Sequence, residues 1–261
     1  MSVLIKICGL KTAAALDAAL AAKADLVGFV FFAPSPRHIA PAAARALGQR
    51  VAARAGKVAL TVDADDDLLE GIVAALGPDM LQLHGRESPQ RVAAVKARFG
   101  LPVMKAIPVE TRADLAAAEA YAGIADRLLF DARAPRQATR PGGLGTPFDW
   151  RLLEDFDRKI PFMLSGGLDA ENVETALAVT GAPGVDVSSG VERAPGEKDV
   201  ERIYAFIAAA RRAGGEVPIA LSASSSPGLQ ASRTCPTCDS TESQLGEAEL
   251  RWRPSHRQTA K

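Results

Sequence analysis

Short apolar segments and longer amphipathic segments alternate along most of the chain, from residue 3 to about residue 213. Each apolar segment has the length of a β-strand and is bounded by turn or polar residues. Most of them are apolar throughout rather than alternating, which is typical of strands buried on both faces of a parallel sheet. The eight predicted strands cover residues 3–8, 26–32, 57–63, 80–85, 102–109, 127–132, 161–167 and 184–190.

The segments between these strands have a helical period and are rich in alanine. The segment 40–56 carries Pro41 near its first turn and Gly56 after its end, which is the asymmetry expected of helix termini. Ser88 and Asp169 are polar residues of the kind that cap the start of a helix. The eight predicted helices cover residues 12–24, 40–56, 65–77, 88–100, 111–123, 149–156, 169–181 and 197–214.

Eight strand–helix pairs in succession predict a closed parallel barrel. Strands that alternate with helices form parallel sheets, and eight repeats within roughly 200–250 residues suit a (β/α)8 TIM barrel. An open, doubly wound Rossmann-like sheet is the alternative, but no GxGxxG motif follows the first strand. The sequence therefore predicts an α/β fold with a single (β/α)8 barrel as the catalytic domain, residues 1–214.

The chain changes character after Gly215, where it becomes rich in Ser, Thr, Pro and Arg and loses any sustained period. Such a segment buries too little apolar surface to fold alone, so we expect a disordered C-terminal extension over residues 215–261. Cys235 and Cys238 form a CxxC pair, but neither a second CxxC nor an HxxxH follows to complete a zinc site. We interpret the pair as part of a solvated tail rather than as a zinc or redox site.

The composition excludes several functional classes. The chain has 31 Lys and Arg against 31 Asp and Glu, and this zero net charge argues against a nucleic-acid-binding face. Its 3 cysteines are too few for a disulfide scaffold and suit a reducing cytoplasm. Neither a signal peptide nor a run of roughly 20 apolar residues is visible. We expect a cytoplasmic protein that binds neither nucleic acid nor membrane; the sequence leaves a monomer and a homodimer both open.

In a barrel of this kind, functional residues lie at the carboxyl ends of the strands. Glycine-rich turns follow the seventh and eighth predicted strands, at residues 165–167 and 188–190. Either one alone reads most simply as a tight turn. Together, in the two places where such barrels frequently bind phosphate on backbone N–H groups, they favour a small phosphorylated substrate. A third glycine-rich stretch, 140–145, is long and flexible enough to fold over a bound ligand.

Cys8 and Asp131 end the first and sixth predicted strands and should open on the same mouth. A thiolate and a carboxylic acid on opposite sides of a substrate form an acid–base pair for a proton shift. Taken alone, Cys8 reads as an inert buried thiol, and Asp131 as a partner of Arg133. Lys6 stands close to Cys8, but strand alternation is expected to turn its side chain to the opposite face, so we do not expect it to activate the thiol.

Other chemistries find less support. The three histidines, His38, His84 and His256, are scattered without HxH or HExxH spacing, so no metal site is expected. A covalent cysteine hydrolase is disfavoured because no histidine–carboxylate relay accompanies the thiol.

Seven stretches, taken in order, resemble the phosphoribosylanthranilate isomerases of tryptophan biosynthesis. Each stretch is modest alone, and together they are highly specific and span residues 3 to about 212. That family consists of (β/α)8 barrels. The stretches are KICGLK (6–11), FVFFAPSPRHI (29–39), LQLHG (81–85), FD (130–131), PGGLGTPFDW (141–150), FMLSGGLDAENV (162–173) and GVDVSSGVERAPGEKD (184–199).

The resemblance implies an Amadori rearrangement of N-(5-phosphoribosyl)anthranilate to 1-(2-carboxyphenylamino)-1-deoxyribulose 5-phosphate, with no cofactor and no metal. It implies that Asp131 is the general acid that protonates the furanose ring oxygen. Cys8 would be the general base that removes the C2′ proton, and Arg37 would bind the anthranilate carboxylate. The residues implied for the phosphate are Gly143, Gly166, Gly167, Ser189 and Gly190.

Two departures and two alternatives accompany the resemblance. Many relatives are expected to carry a small hydroxyl or a basic residue at the positions of Leu144 and Thr146, and the tail has no counterpart in the family.

The related isomerase of histidine biosynthesis is an alternative function, but that enzyme resembles a barrel with an Asp where this chain has Cys8. A non-catalytic barrel is the other alternative, and its signature would be loss of Cys8, Asp131 or Arg37.

Overall fold

A closed barrel of eight parallel strands forms the centre of the molecule in the computed structural model. The structure describes residues 2–134, 137–138, 142, 147–154, 156 and 161–215. Each strand pairs with its neighbours in sequence, and β8 closes the barrel against β1, with Leu4 opposite Gly184 and Lys6 opposite Asp186. The barrel strands are β1 (Leu4–Cys8), β2 (Leu26–Phe31), β3 (Gly56–Thr61), β4 (Met80–Leu83), β5 (Val103–Val109), β6 (Arg127–Ala132), β7 (Phe162–Leu164) and β8 (Gly184–Val187).

Helices connect these strands, and their ends follow the capping chemistry of the sequence. The Ser88 hydroxyl accepts a hydrogen bond from the Arg91 N–H at the start of a helix, and Gly100 ends the same helix in a left-handed conformation. The Asp65 carboxylate caps the preceding helix in the same way. The helices are α1 (Ala13–Ala21), α2 (Pro41–Val51), α3 (Asp66–Leu76), α4 (Pro89–Phe99), α5 (Arg112–Ala118), α6 (Val173–Thr180) and α7 (Val200–Ala213).

The two faces of the sheet carry different side chains because successive residues of a strand point to opposite faces. The outer face packs against the helices and forms the main core, in which Ile5, Ile7 and Phe29 are fully buried. The inner face is filled by two smaller clusters. One contains Met104, Ala106, Leu129 and Met163, and the other contains Cys8, Val30 and Leu60.

The predicted (β/α)8 barrel is confirmed, and three local predictions need correction. The described part of the predicted helix 149–156 contains a 3₁₀ turn, Trp150–Leu153. The eighth strand ends at Val187 and is followed by another 3₁₀ turn, Ser189–Val191. A short hairpin of β9 (Glu192–Ala194) and β10 (Glu197–Lys198) then precedes α7, where the sequence predicted helix from residue 197. Gly196 makes this hairpin possible, because its φ of 81° lies in the left-handed region.

No helix among the described residues is long and apolar enough to cross a membrane. The predicted extension, 215–261, lies outside the described residues except for Gly215, so its disorder and the interpretation of Cys235 and Cys238 stay predictions.

Candidate active site

A cleft opens at the carboxyl ends of the barrel strands. It contains most of the residues that the sequence singled out, brought together from five different strand ends. The predicted residues that line it are Cys8, Arg37, Asp131, Gly166, Gly167 and Ser189, and His84 and Asp186 line it as well.

Cys8 is the last residue of β1 and is only 3 % exposed. Burial raises the pKa of its thiol, because a thiolate is poorly solvated there; Lys6 opposes this effect. The chain leaves the strand through Gly9, whose φ of 80° is left-handed. A side chain on Gly9 would also collide with Arg37, since an added Cβ would lie 2.8 Å from the Arg37 Cδ.

Lys6 shares the inner face of the barrel with Cys8, so the predicted orientation of Lys6 was wrong. A period of two residues places positions 6 and 8 on the same side of a strand. The geometry around Gly28 on β2 makes this concrete. A Cβ added to Gly28 would lie 3.0 Å from the Cys8 sulfur and 3.2 Å from the Lys6 Cε. The Lys6 ammonium is fully buried and lies 2.9 Å from Oδ1 of Asp186 on β8.

Asp131 lies at the end of β6 and is held by a side chain from β4. Its Oδ2 lies 3.1 Å from Nε2 of His84, whose Nδ1 lies 3.0 Å from the side-chain nitrogen of Gln82. Arg133 does not pair with Asp131; it binds Asp114 and lies 3.3 Å from the Glu110 carboxylate. Asp131 is 4 % exposed and faces the cleft, so its carboxyl is directed at whatever binds there.

Arg37 is held from behind by a buried ionic network. Its Nε and Nη2 donate to the two carboxylate oxygens of Glu192, each at 2.8 Å. Lys198 lies on the other side of Glu192 at 2.9 Å and also donates to the Ser188 carbonyl at 2.7 Å. Burial lowers the pKa of Lys198 to about 8, and Glu192 opposes that shift. The hairpin after β8 therefore fixes the guanidinium of a loop that follows β2.

The two glycine-rich turns lie side by side at the edge of the cleft. Gly166 has a φ of 88°, and Gly166 and Gly167 show no hydrogen bond from their N–H groups to another described residue. Ser189 lines the cleft at the start of the 3₁₀ turn, and Gly190 lies behind it against the Leu168 carbonyl. Free N–H groups beside two turns form a suitable anion site. Gly143, Leu144 and Thr146 lie outside the described residues; Gly142 is described and lines the cleft.

Five residues of the site were not predicted from the sequence: His84 as the partner of Asp131, the Lys6–Asp186 pair, Glu192 and Lys198. The signal for Lys6 and Asp186 was available, because both are charged residues inside otherwise apolar strands. Glu192 and Lys198 gave no such signal, since charged residues in a loop are ordinarily solvated.

The comparisons with known proteins agree with one another. Residues 5–209 match the family model described as N-(5'phosphoribosyl)anthranilate (PRA) isomerase. A protein of Rhodopseudomonas palustris (strain BisB5) named N-(5'-phosphoribosyl)anthranilate isomerase is 65 % identical over 81 % of this chain and 97 % of its own length. One of the same name from Bradyrhizobium diazoefficiens is 63 % identical over 81 % of this chain and 95 % of its own length.

Solved structures give the same result. The phosphoribosyl anthranilate isomerase of Thermotoga maritima superposes with a TM-score of 0.74 at 33 % identity, covering 80 % of this chain and 99 % of its own. A phosphoribosyl anthranilate isomerase in complex with reduced 1-(o-carboxyphenylamino)-1-deoxyribulose 5-phosphate superposes with a TM-score of 0.71 at 32 % identity over the same shares. The matched segment spans nearly all of the barrel, and the chain therefore belongs to the phosphoribosylanthranilate isomerase family.

Proposed function

We propose that the chain catalyses the Amadori rearrangement of N-(5-phosphoribosyl)anthranilate in tryptophan biosynthesis, with Asp131 as general acid and Cys8 as general base. The observation that carries this proposal is the single cleft that Cys8 and Asp131 share with the turns at Gly166 and Ser189. An acid, a base and an anion site on one cleft are what an isomerisation of a phosphorylated sugar needs.

The first step is ring opening. Asp131 donates its proton to the furanose ring oxygen while the C1′–O bond breaks, and the anthranilate nitrogen supplies the electron pair that forms a C1′=N iminium. His84 orients this acid, because its Nε2 lies 3.1 Å from the Asp131 Oδ2. A fixed orientation raises the rate by keeping the proton within reach of the oxygen.

The second step is proton abstraction at C2′. The Cys8 thiolate takes the proton, the C2′–H electron pair forms the C1′=C2′ bond, and the iminium electrons return to nitrogen as an enolamine. Proton addition at C1′, together with loss of the C2′ hydroxyl proton, then gives the ketone. The base need not be strong, because the iminium acidifies the C2′ proton.

Contacts to the phosphate and to the carboxylate position the substrate between the acid and the base. We assign the phosphate to the backbone N–H groups of Gly166, Gly167, Ser189 and Gly190, and the anthranilate carboxylate to Arg37. Arg37 lines the cleft, and Glu192, which accepts from its Nε and Nη2, holds the positively charged guanidinium there. The proposed assembly is a monomer or a homodimer, and the Thermotoga maritima protein is described as dimeric. A cytoplasmic location is also part of the proposal.

A turnover assay tests the function. Purified protein should consume phosphoribosylanthranilate, followed by the loss of its anthranilate-type fluorescence, and should lose most of this activity as Asp131→Asn or Cys8→Ser. Arg133→Gln is the matched control, since Arg133 follows Asp131 closely but pairs with Glu110 and Asp114. Normal turnover in both active-site variants would overturn the assigned roles. Competition with the substrate of the histidine-pathway isomerase distinguishes that alternative.

A further inference from the structure

A buried ion pair lies directly below the proposed base. Lys6 and Asp186 stand opposite each other on β1 and β8, and neither is more than 5 % exposed at its side chain. Removing two charges from water costs several kcal/mol, and a pair of apolar residues would often be as stable or more stable. Stability alone therefore gives no good reason for this pair, and its position beside the Cys8 sulfur suggests a role in the chemistry.

We propose that Lys6 is a positioning residue for the base: its ammonium, held in place by Asp186, stabilises the Cys8 thiolate at the moment of proton abstraction. This inference rests on the proposed role of Cys8. It also assigns a task to a side chain that touches no atom of the substrate.

The charges around the thiol support this arrangement. Lys6 faces Cys8 from β1, Asp186 from β8 and Lys198 from β10, while Arg37, His84 and Asp131 line the cleft above. The pKa of Cys8 is raised by burial and by the Asp186 carboxylate. The ammonium groups of Lys6 and Lys198 lower it. Burial also opposes the charge of Lys6, but Asp186 and Cys8 outweigh it, so the pKa of Lys6 is raised and its ammonium stays charged.

The proton balance leaves Lys6 unchanged. During abstraction the C2′–H bond breaks, the S–H bond forms, and the electron pair moves toward the iminium nitrogen. The thiolate and the iminium are both neutralised, while the ammonium of Lys6 and the carboxylate of Asp186 keep their charges. Lys6 thus acts only through its field, which favours the thiolate before the transfer.

Thiolate titration tests the proposal directly. The full chain would carry Cys235→Ser and Cys238→Ser, so that Cys8 is its only thiol. Thiolate formation is then followed by ultraviolet difference absorbance against pH, with Cys8→Ser as the blank. In Lys6→Gln, which keeps a donor for Asp186 but loses the charge, the midpoint should rise by about one pH unit. Lys105→Gln, which removes the charge of another buried strand lysine, should leave it unchanged.

A second comparison covers the case in which Lys6→Gln does not fold because its buried Asp186 carboxylate has no cation beside it. Asp186→Asn and the double variant Lys6→Gln/Asp186→Asn differ only in the ammonium, and the double variant can form a neutral side-chain hydrogen bond. The double variant should again titrate about one pH unit higher. Equal midpoints within either pair would overturn the proposal.

Failure of the proposed role of Lys6 can be distinguished from failure of the proposed function. If Cys8→Ser kept full turnover, the role of Cys8 as base would fail, whatever the titration showed. If Cys8→Ser lost turnover and the midpoints did not move, only the role of Lys6 would fail. With both in place, kcat of Lys6→Gln at neutral pH should fall about tenfold and recover toward higher pH, which a purely structural lysine would not produce.

Discussion

Lys6 and Lys105 are both buried lysines on barrel strands, and their surroundings differ in one decisive respect. Each ammonium lies 2.9 Å from a buried carboxylate, Asp186 for Lys6 and Glu87 for Lys105. Lys6 points into the barrel beside Cys8. Lys105 lies on the outer face of β5, where its ammonium is 5.9 Å from the centre of the Tyr121 ring.

The partners of the two ammonium groups show what each pair does. Lys105 donates to the carbonyls of Leu83 and Gly85 as well as to Glu87, so all three of its protons are used. Glu87 in turn accepts from the backbone N–H groups of Asp63 and Gly85. This pair ties together the loops after β3 and β4. The inner pair has a neighbour, Cys8, whose charge changes during the proposed reaction. A buried lysine–carboxylate pair thus connects loops on the outer face of the sheet, and in our proposal the corresponding inner pair serves the chemistry.

The largest effect is expected on the inner face, for Asp131→Asn. The amide keeps the shape of the side chain and a contact with His84 but cannot protonate the ring oxygen, so kcat should fall by about 10²–10⁴-fold. The melting temperature should stay close to that of the unmodified protein. Steady-state kinetics and thermal unfolding on one preparation measure both. A variant that lost stability and activity together would show that the inner face is structural too.

The opposite result is expected on the outer face, for Lys105→Met. The variant leaves the Glu87 carboxylate without its cation, so the free energy of unfolding in urea should fall by about 3 kcal/mol. The kcat of the folded protein should be unchanged, because Lys105 has no contact with the cleft. Lys105→Met/Glu87→Gln is the matched control and should recover part of the loss, since the amide oxygen can still accept from Asp63 and Gly85. A fall in kcat with normal stability would contradict the division of the two faces.

Much of this arrangement was predictable from sequence, and the rest depends on contacts that no local pattern records. Apolar runs bounded by turns are set by burial on both faces, so they located all eight strands and, with their number, the barrel. Cys8 and Asp131 were found because they occupy strand ends. The bond between Arg37 and Glu192 joins residues 155 positions apart, through a hairpin that exists because Gly196 adopts a left-handed conformation. Neither the Arg37–Glu192 bond nor the turn at Gly196 follows from a periodic pattern in the sequence.

Lys6 is a different case, because its orientation followed from strand periodicity and was nevertheless predicted wrongly. Positions 6 and 8 differ by one full period of a strand, so they share a face. A charged residue two positions before a strand-end thiol inside a barrel is a signal that can be used in other sequences.

A smaller effect is expected where the network behind Arg37 is weakened, in Glu192→Gln. The amide retains one acceptor but no charge, so Arg37 is held less firmly, and KM should rise roughly five- to tenfold with kcat nearly unchanged. Glu197→Gln on the same hairpin breaks only an exposed pair with Arg193 and serves as control. With N-(5-phosphoribosyl)aniline, which lacks the carboxylate, the KM difference should vanish. A persistent difference would mean that Arg37 binds another part of the substrate.

The smallest effect concerns acid stability and follows from the same glutamate. Burial raises the pKa of Glu192, but Arg37 and Lys198 outweigh it, so its pKa in the folded protein is lowered. A carboxyl with a lowered folded-state pKa contributes stability above its unfolded-state pKa, and that contribution is lost as the pH falls through the folded-state value. The melting temperature of the unmodified protein should therefore exceed that of Glu192→Gln near neutral pH, and the gap should narrow below about pH 4.5. Glu197→Gln should show almost no gap at any pH, because solvent screens its exposed pair. A melting-temperature gap for Glu192→Gln that stayed constant into acid would contradict this prediction. It would mean that the Glu192 side chain stabilises the fold by packing rather than by its charge.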